Sequence, residues 1–123
     1  MRLSEAIRLG AMAIKPCRGR WVGYKNNDYS GEVVAGCLYG TALYAIGQRD
    51  FYNASEEVAK RWPFLFNKGR VGDITGPWED VLHFLYEHSG WTREAIADLV
   101  EQLEQQIEAE QSALVEQEVA SHV

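Results

Sequence analysis

The sequence predicts an all-α fold. Five helices form one compact domain, with an irregular arm at about residues 17–31 whose alternative form is a short β-hairpin, and a long acidic helix at the C-terminal end. Three observations carry this expectation. Apolar residues recur at helical spacing in several separate stretches. Helix start and stop signals bracket those stretches, among them Thr92, Pro16, Pro63, Gly47 and Gly76-Pro77. Finally, residues 94–123 hold eight of the chain's eighteen acids and no lysine or arginine, with no proline or glycine to interrupt them.

Leu3, Ala6, Ile7, Gly10, Ala11 and Ile14 follow the i, i+3, i+4, i+7 rule, so the first helix starts behind Ser4 as N-cap and stops before Pro16. The segment 17–31 is rich in turn formers, with strand character only in Arg20-Trp21-Val22-Gly23-Tyr24. Residues 31–46 resume a helical period through Val34, Cys37, Leu38, Thr41 and Ala45, and Gly47 suits the left-handed position that closes a helix. Gly36 and Gly40 leave a bare face on that helix for close approach of a neighbour; each costs about 1 kcal/mol against alanine, so packing must require them. Asn53 with Glu56 reads as a capping box for a third helix that Pro63 ends, and Phe64-Leu65-Phe66 is an apolar plug. Residues 67–76 are a glycine-rich connection, and Pro77 opens a fourth helix with Trp78, Val81, Leu82 and Leu85 inward, ended by Ser89-Gly90. Trp91-Thr92-Arg93-Glu94 then starts the fifth: Thr92 is the N-cap, Trp91 and Ile96 staple the entry, and Glu94 sits on the positive end of the dipole.

At 123 residues the chain is one domain, able to bury roughly 65% of its unfolded surface. An apolar fraction of 46% and a charged fraction of 24% are those of a folded soluble protein. The net charge of −6 divides unevenly: residues 1–93 carry twelve bases and ten acids (+2), and residues 94–123 carry −8. Two cysteines do not make a disulfide framework, and Glu5 and Arg8 interrupt the only early apolar stretch, which therefore does not read as a signal peptide. The least polar run, residues 33–47, falls short of the ~20 residues a membrane span needs. A cytoplasmic protein with both thiols free is the expectation, with no membrane association.

A helix over 92–118 would be ~40 Å long, against a diameter of ~30 Å for a body of the remaining residues. One or two turns must overhang. The domain is therefore expected to span 1–118, with helix 92–118 projecting and 119–123 a disordered tail. Val100, Leu103, Ile107 and Leu114 keep a partial heptad spacing along the projection, and Glu110 and Gln117 interrupt its seam.

Three stretches carry a resemblance: Leu3-Ser4-Glu5-Ala6-Ile7-Arg8-Leu9-Gly10-Ala11, Cys37-Leu38-Tyr39-Gly40-Thr41-Ala42-Leu43, and Trp91-Thr92-Arg93-Glu94-Ala95-Ile96-Ala97. Together they resemble segments of small, uncharacterised helical proteins from bacteria and their phages. Those proteins tend to carry a second cysteine near a Phe-Pro segment, which Trp62-Pro63-Phe64 lacks. The resemblance implies a common helical fold and a mobile-element origin, and no activity.

No catalytic signature stands in the sequence. Cys37 is the candidate nucleophile of a thiol-dependent enzyme, with His83 or His88 as base; yet a helix beginning at Ser30 would put it two turns inside, where a cysteine is ordinarily a small buried hydrophobe. Glu79, His83 and Glu87 share a helix face at metal-ligand spacing, which is also the spacing of a solvated, ion-paired face. No metal site and no cofactor are expected. Arg18, Arg20, Trp21 and Lys25 interleave cations with aromatics as single-strand nucleic-acid binders do. They serve equally well as a structural arm, or as a dock for the acidic tail. Helices four and five are not a DNA-reading pair, because Glu94, Asp98, Glu101, Glu104 and Glu108 would repel phosphate.

The functional expectation is a small non-catalytic interaction or regulatory protein whose partner is another protein or a second copy of itself. Val100, Leu103, Ile107 and Leu114 would make the contact, and Glu101, Glu104 and Glu108 would set the partner's charge. Nucleic-acid contact through residues 18–25 is the alternative.

Overall fold

Helix α1 (Leu3–Ala13) packs against both α2 (Leu38–Ala45) and α5 (Arg93–Ser121), and these three carry the centre of the domain in a computed structural model that describes residues 1–26 and 30–121. The approach of α1 to α2 is close because Gly10 has no side chain: a Cβ there would collide with the carbonyl of Thr41. Leu3, Ala6 and Ile7 from α1, Leu38, Ala42 and Leu43 from α2, and Ile96, Ala97 and Val100 from α5 are buried in one cluster. Completing it are Val58 of α3 (Ala54–Arg61), Leu65 of a 3₁₀ turn (Pro63–Phe66), and Val81, Leu82, Leu85 and Tyr86 of α4 (Trp78–His88).

The chain is a mixed α/β protein, not the all-α fold its sequence predicts, because two small sheets accompany the five helices among the described residues. In the first, β3 (Val33–Gly36) lies between β1 (Lys15–Pro16), which is parallel to it, and β2 (Val22–Tyr24), which is antiparallel with a register shift between Gly23 and Tyr24. The helix expected over 31–46 is therefore strand and then helix. Val33 is buried and Val34 exposed, the period of a strand with one covered face. Ile14, Val22 and Val33 form a second, smaller apolar cluster under this sheet. Pro16 falls on the edge strand β1, where its missing N–H disrupts no central ladder. Of the arm, Asn27, Asp28 and Tyr29 lie outside the described residues.

The second sheet replaces the glycine-rich connection. Strand β4 (Lys68–Val71) pairs with β5 (Ile74–Pro77) from Lys68↔Pro77 to Val71↔Ile74, joined by Gly72-Asp73. Gly72 takes φ +60°, the left-handed first position of a two-residue hairpin turn. The hairpin packs on α4, and Gly69 is required there because a Cβ would enter the Trp78 ring.

Helix ends follow the sequence in part. Gly47 closes α2 as expected: its N–H bonds Tyr44 O at 3.1 Å and the next N–H bonds Leu43 O at 3.0 Å, the paired closure of a Schellman motif. Thr92 caps α5, its hydroxyl accepting from Ala95 N–H at 3.1 Å. Ser4, expected to cap α1, lies inside the helix behind Arg2, and Asn53 makes no side-chain cap on α3. Residues 119–121, expected to be disordered, continue helix α5 through Val119 and Ala120 to Ser121; His122 and Val123 lie outside the described residues. Among the described residues, no helix is long and apolar enough to cross a membrane.

Candidate functional site

Helix α5 divides into a packed half and a free half. Its first residue, Arg93, is buried, and its guanidinium donates to Thr41 Oγ1 and to Ile14 O, both at 2.8 Å, tying α5 to α2 and to the end of α1. Three turns on, the buried Glu104 carboxylate accepts from Leu3 N–H at 2.9 Å and from the Ser4 hydroxyl. Leu3 N–H is the first of the α1 amides that have no partner inside the helix, so Glu104 supplies the cap that Ser4 was expected to provide. Between and beyond these anchors, Arg8 meets Asp98 at 2.8 Å and Glu101 at 3.0 Å, and Arg2 meets Glu108 at 2.7 Å. The two carboxylates hold the Arg8 guanidinium well above its ordinary value, chiefly through Glu101. The acidic helix is thus met by α1 rather than by the basic arm.

These contacts reassign most of the surface expected to face a partner. Val100 belongs to the core and Glu104 to the α1 cap, while Glu101 and Glu108 are engaged within the chain. Leu103 and Ile107 are half-buried. Leu114 stands in the open, at 63% exposure, and Val115 and Val119 join it at 58% and 60%. Every residue from Glu108 to Ala120 is exposed. At 1.5 Å per residue that end projects by ~18 Å, more than the one or two turns expected from length alone.

The second feature is a cleft of about 370 Å³ lined by Gly19, Arg20, Trp21, Cys37, Tyr39, His83, Glu87 and His88. The segment after β1 forms one wall because it is strapped to α4. Arg18 Nε donates to Tyr86 O at 3.0 Å, its guanidinium reaches Trp91 O at 3.2 Å, and the group lies 4.5 Å from the centre of the Tyr86 ring. Gly19 N–H donates to Glu87 at 2.9 Å, and the Tyr86 hydroxyl donates to Cys17 O at 2.7 Å. Gly40 brings the other wall near, since a Cβ there would collide with the carbonyl of Trp21. Of the two glycines expected to bare a face of one helix, Gly36 instead ends strand β3, and at Gly40 the close neighbour is the segment carrying Trp21 rather than a helix.

The four residues expected to touch nucleic acid are dispersed by this arrangement. Arg18 caps the end of α4, Lys25 sits 3.6 Å from Glu32, and Trp21 turns into the cleft beside Tyr39 at 6.3 Å between ring centres. Of the four, Arg20 alone keeps an exposed cationic side chain with no hydrogen bond or ion pair to a described residue.

Cys37 is not two turns inside a helix. It is the N-cap of α2, with extended backbone, and its sulfur accepts from Gly40 N–H at 3.3 Å. His83 and His88 line the same cleft. Burial nevertheless pushes the thiol up to about 11, overcoming the backbone groups of Gly40 and Tyr39 that favour the thiolate. Burial likewise pushes up Cys17 and the Tyr39 and Glu79 side chains, and holds Tyr86 at about 12. A buried, neutral thiol is a weak nucleophile. Among the described residues, no three His, Cys, Asp or Glu gather as a metal site, and Glu87 accepts from Gly19 N–H instead. Comparison with protein-family models, curated proteins and solved structures gives no match.

Two functional placements escaped the sequence. Nothing local marks Glu104 as a cap for a helix a hundred residues earlier, because the pairing exists only after α1 and α5 pack. The cleft is signalled faintly by Trp21 and Tyr39, whose rings meet only when the arm lies across Gly40.

Proposed function

We propose that this chain is a small interaction protein whose working surface is the free half of α5, and that a second copy of the chain is the partner it meets there. The observation that carries the reading is the exposure of Leu114, Val115 and Val119 on a helix end that no described residue covers. An isolated helix of this length is marginal in water, so a covering partner is what would make the projection persistent. At 100° per residue Leu114 continues the line of Val100, Leu103 and Ile107, which gives pairing a seam continuous with the domain's own. Side-by-side pairing along that seam brings Glu110 and Glu118 of one copy near those of the other, so added salt should strengthen it by screening.

Light scattering across micromolar concentrations, on the full chain and on a chain ending at Ala109, tests this. The expected result is a mass that rises with concentration for the full chain only, and rises further between about 0.05 and about 0.5 M salt. A constant monomer mass for both overturns the reading. So does association that weakens with salt, which would indicate charge-matched docking instead.

A further inference from the structure

We infer that the cleft between the arm and α4 binds a small planar anion, of the class of the aromatic carboxylates. Its volume of about 370 Å³ falls at the lower end of the range for small-molecule sites. The floor is apolar and uncharged. The Tyr39 hydroxyl donates to Glu79 O at 2.7 Å, leaving its ring to face the space beside Trp21, and the Cys37 sulfur is engaged with Gly40 N–H. The two rings stand tilted by 43° with their centres 6.3 Å apart, so aromatic surface lines the space a flat guest would occupy.

The rim supplies the charge. Arg20, His83 and His88 bring nitrogen donors to the opening, and Glu87 is the one acid among the described lining residues, already accepting from Gly19 N–H. Arg20 is the decisive group, because its guanidinium is permanently charged and forms no ion pair with a described residue. A planar fork of donors beside an aromatic floor matches a carboxylate carried on a flat ring, by paired hydrogen bonds at one end and stacking at the other.

Titration of the full chain with 2-naphthoate, followed by amide and indole resonances, tests the inference. The cationic 2-naphthylmethylamine and inorganic phosphate serve as controls. The expected result is perturbation confined to the cleft, centred on Trp21, Tyr39 and His83, and weakened by about tenfold or more in Arg20→Ala. Arg20 is exposed and makes no ion pair with a described residue, so this variant should keep its fold, which the remaining spectrum checks directly. The inference is overturned if naphthoate fails to bind at millimolar concentration, binds elsewhere, or binds Arg20→Ala equally well. Equal binding of the amine or of phosphate also overturns it, since either would remove the need for an aromatic anion.

Discussion

Glu104 caps Leu3: a carboxylate on the last helix accepts the first backbone N–H of the first helix at 2.9 Å, across 101 residues of sequence. The Ser4 hydroxyl shares the same carboxylate. Removing it leaves a helix end buried without acceptors, a loss we place at about 2–3 kcal/mol for Glu104→Ala. Glu108→Ala, which removes only an exposed partner of Arg2, should cost less than about 1 kcal/mol. Urea denaturation of both variants checks the difference; equal costs would mean that Glu104 acts as an ordinary surface acid.

Arg93 poses the same question with the opposite charge. Its two buried bonds, to Thr41 Oγ1 and Ile14 O, make Arg93→Ala cost about 3 kcal/mol or more. Lysine lacks the planar fork that reaches both acceptors, so Arg93→Lys should recover only part of the loss. A double-mutant cycle with Thr41→Val should return a coupling of about 1 kcal/mol, and additivity there would show that the Thr41 bond contributes nothing.

The helical half of this fold was legible because helices announce themselves locally. Thr92 with Trp91 and Ile96, Gly47 after α2, and the periodic faces of α1 and α4 each depend on neighbours within a few residues. The sheets were less legible. Strand β3 is short and Val33-Val34 fits a helical period as well as a strand, so only pairing with β1 and β2 decides between them. The β4–β5 hairpin does carry a local signal, Gly72-Asp73 between Val71 and Ile74, but the glycines that flank it in 67–76 give the same stretch the composition of a loop. The cleft was not legible beyond its residue types, since it joins residues 19–21, 37–39 and 83–88 across three separate parts of the chain.

Two glycines separate steric need from backbone need. At Gly40 there is no room: a Cβ would meet the Trp21 carbonyl, which also accepts from Cys37 N–H at 3.0 Å. Gly40→Ala must therefore move the arm, at about 3 kcal/mol, and should speed exchange of the Cys37 amide. Gly47 has open space but a φ of +92°, so Gly47→Ala should cost about 1 kcal/mol and leave that amide protected. Thermal melts with amide exchange distinguish the two; similar exchange at Cys37 in both variants would refute the close approach of the arm.

Cys37 should make the fold sensitive to alkali. Its thiol stands at about 11 in the folded chain, raised from 9.0 by burial, so the folded state holds the proton more tightly than the unfolded one. The contribution is complete below the unfolded value and is lost as pH rises from there through the folded value. Between pH ~8 and pH ~10 the loss should be about 1 kcal/mol. Tyr86, held at about 12, adds a loss of the same sign at higher pH. Urea denaturation at the two pH values, on the native chain and on Cys37→Ala, measures the thiol's share. The variant should be less stable at pH ~8, having lost its cap on Gly40 N–H, yet show a flatter decline with pH. An identical decline in both chains would assign the alkaline loss to other groups.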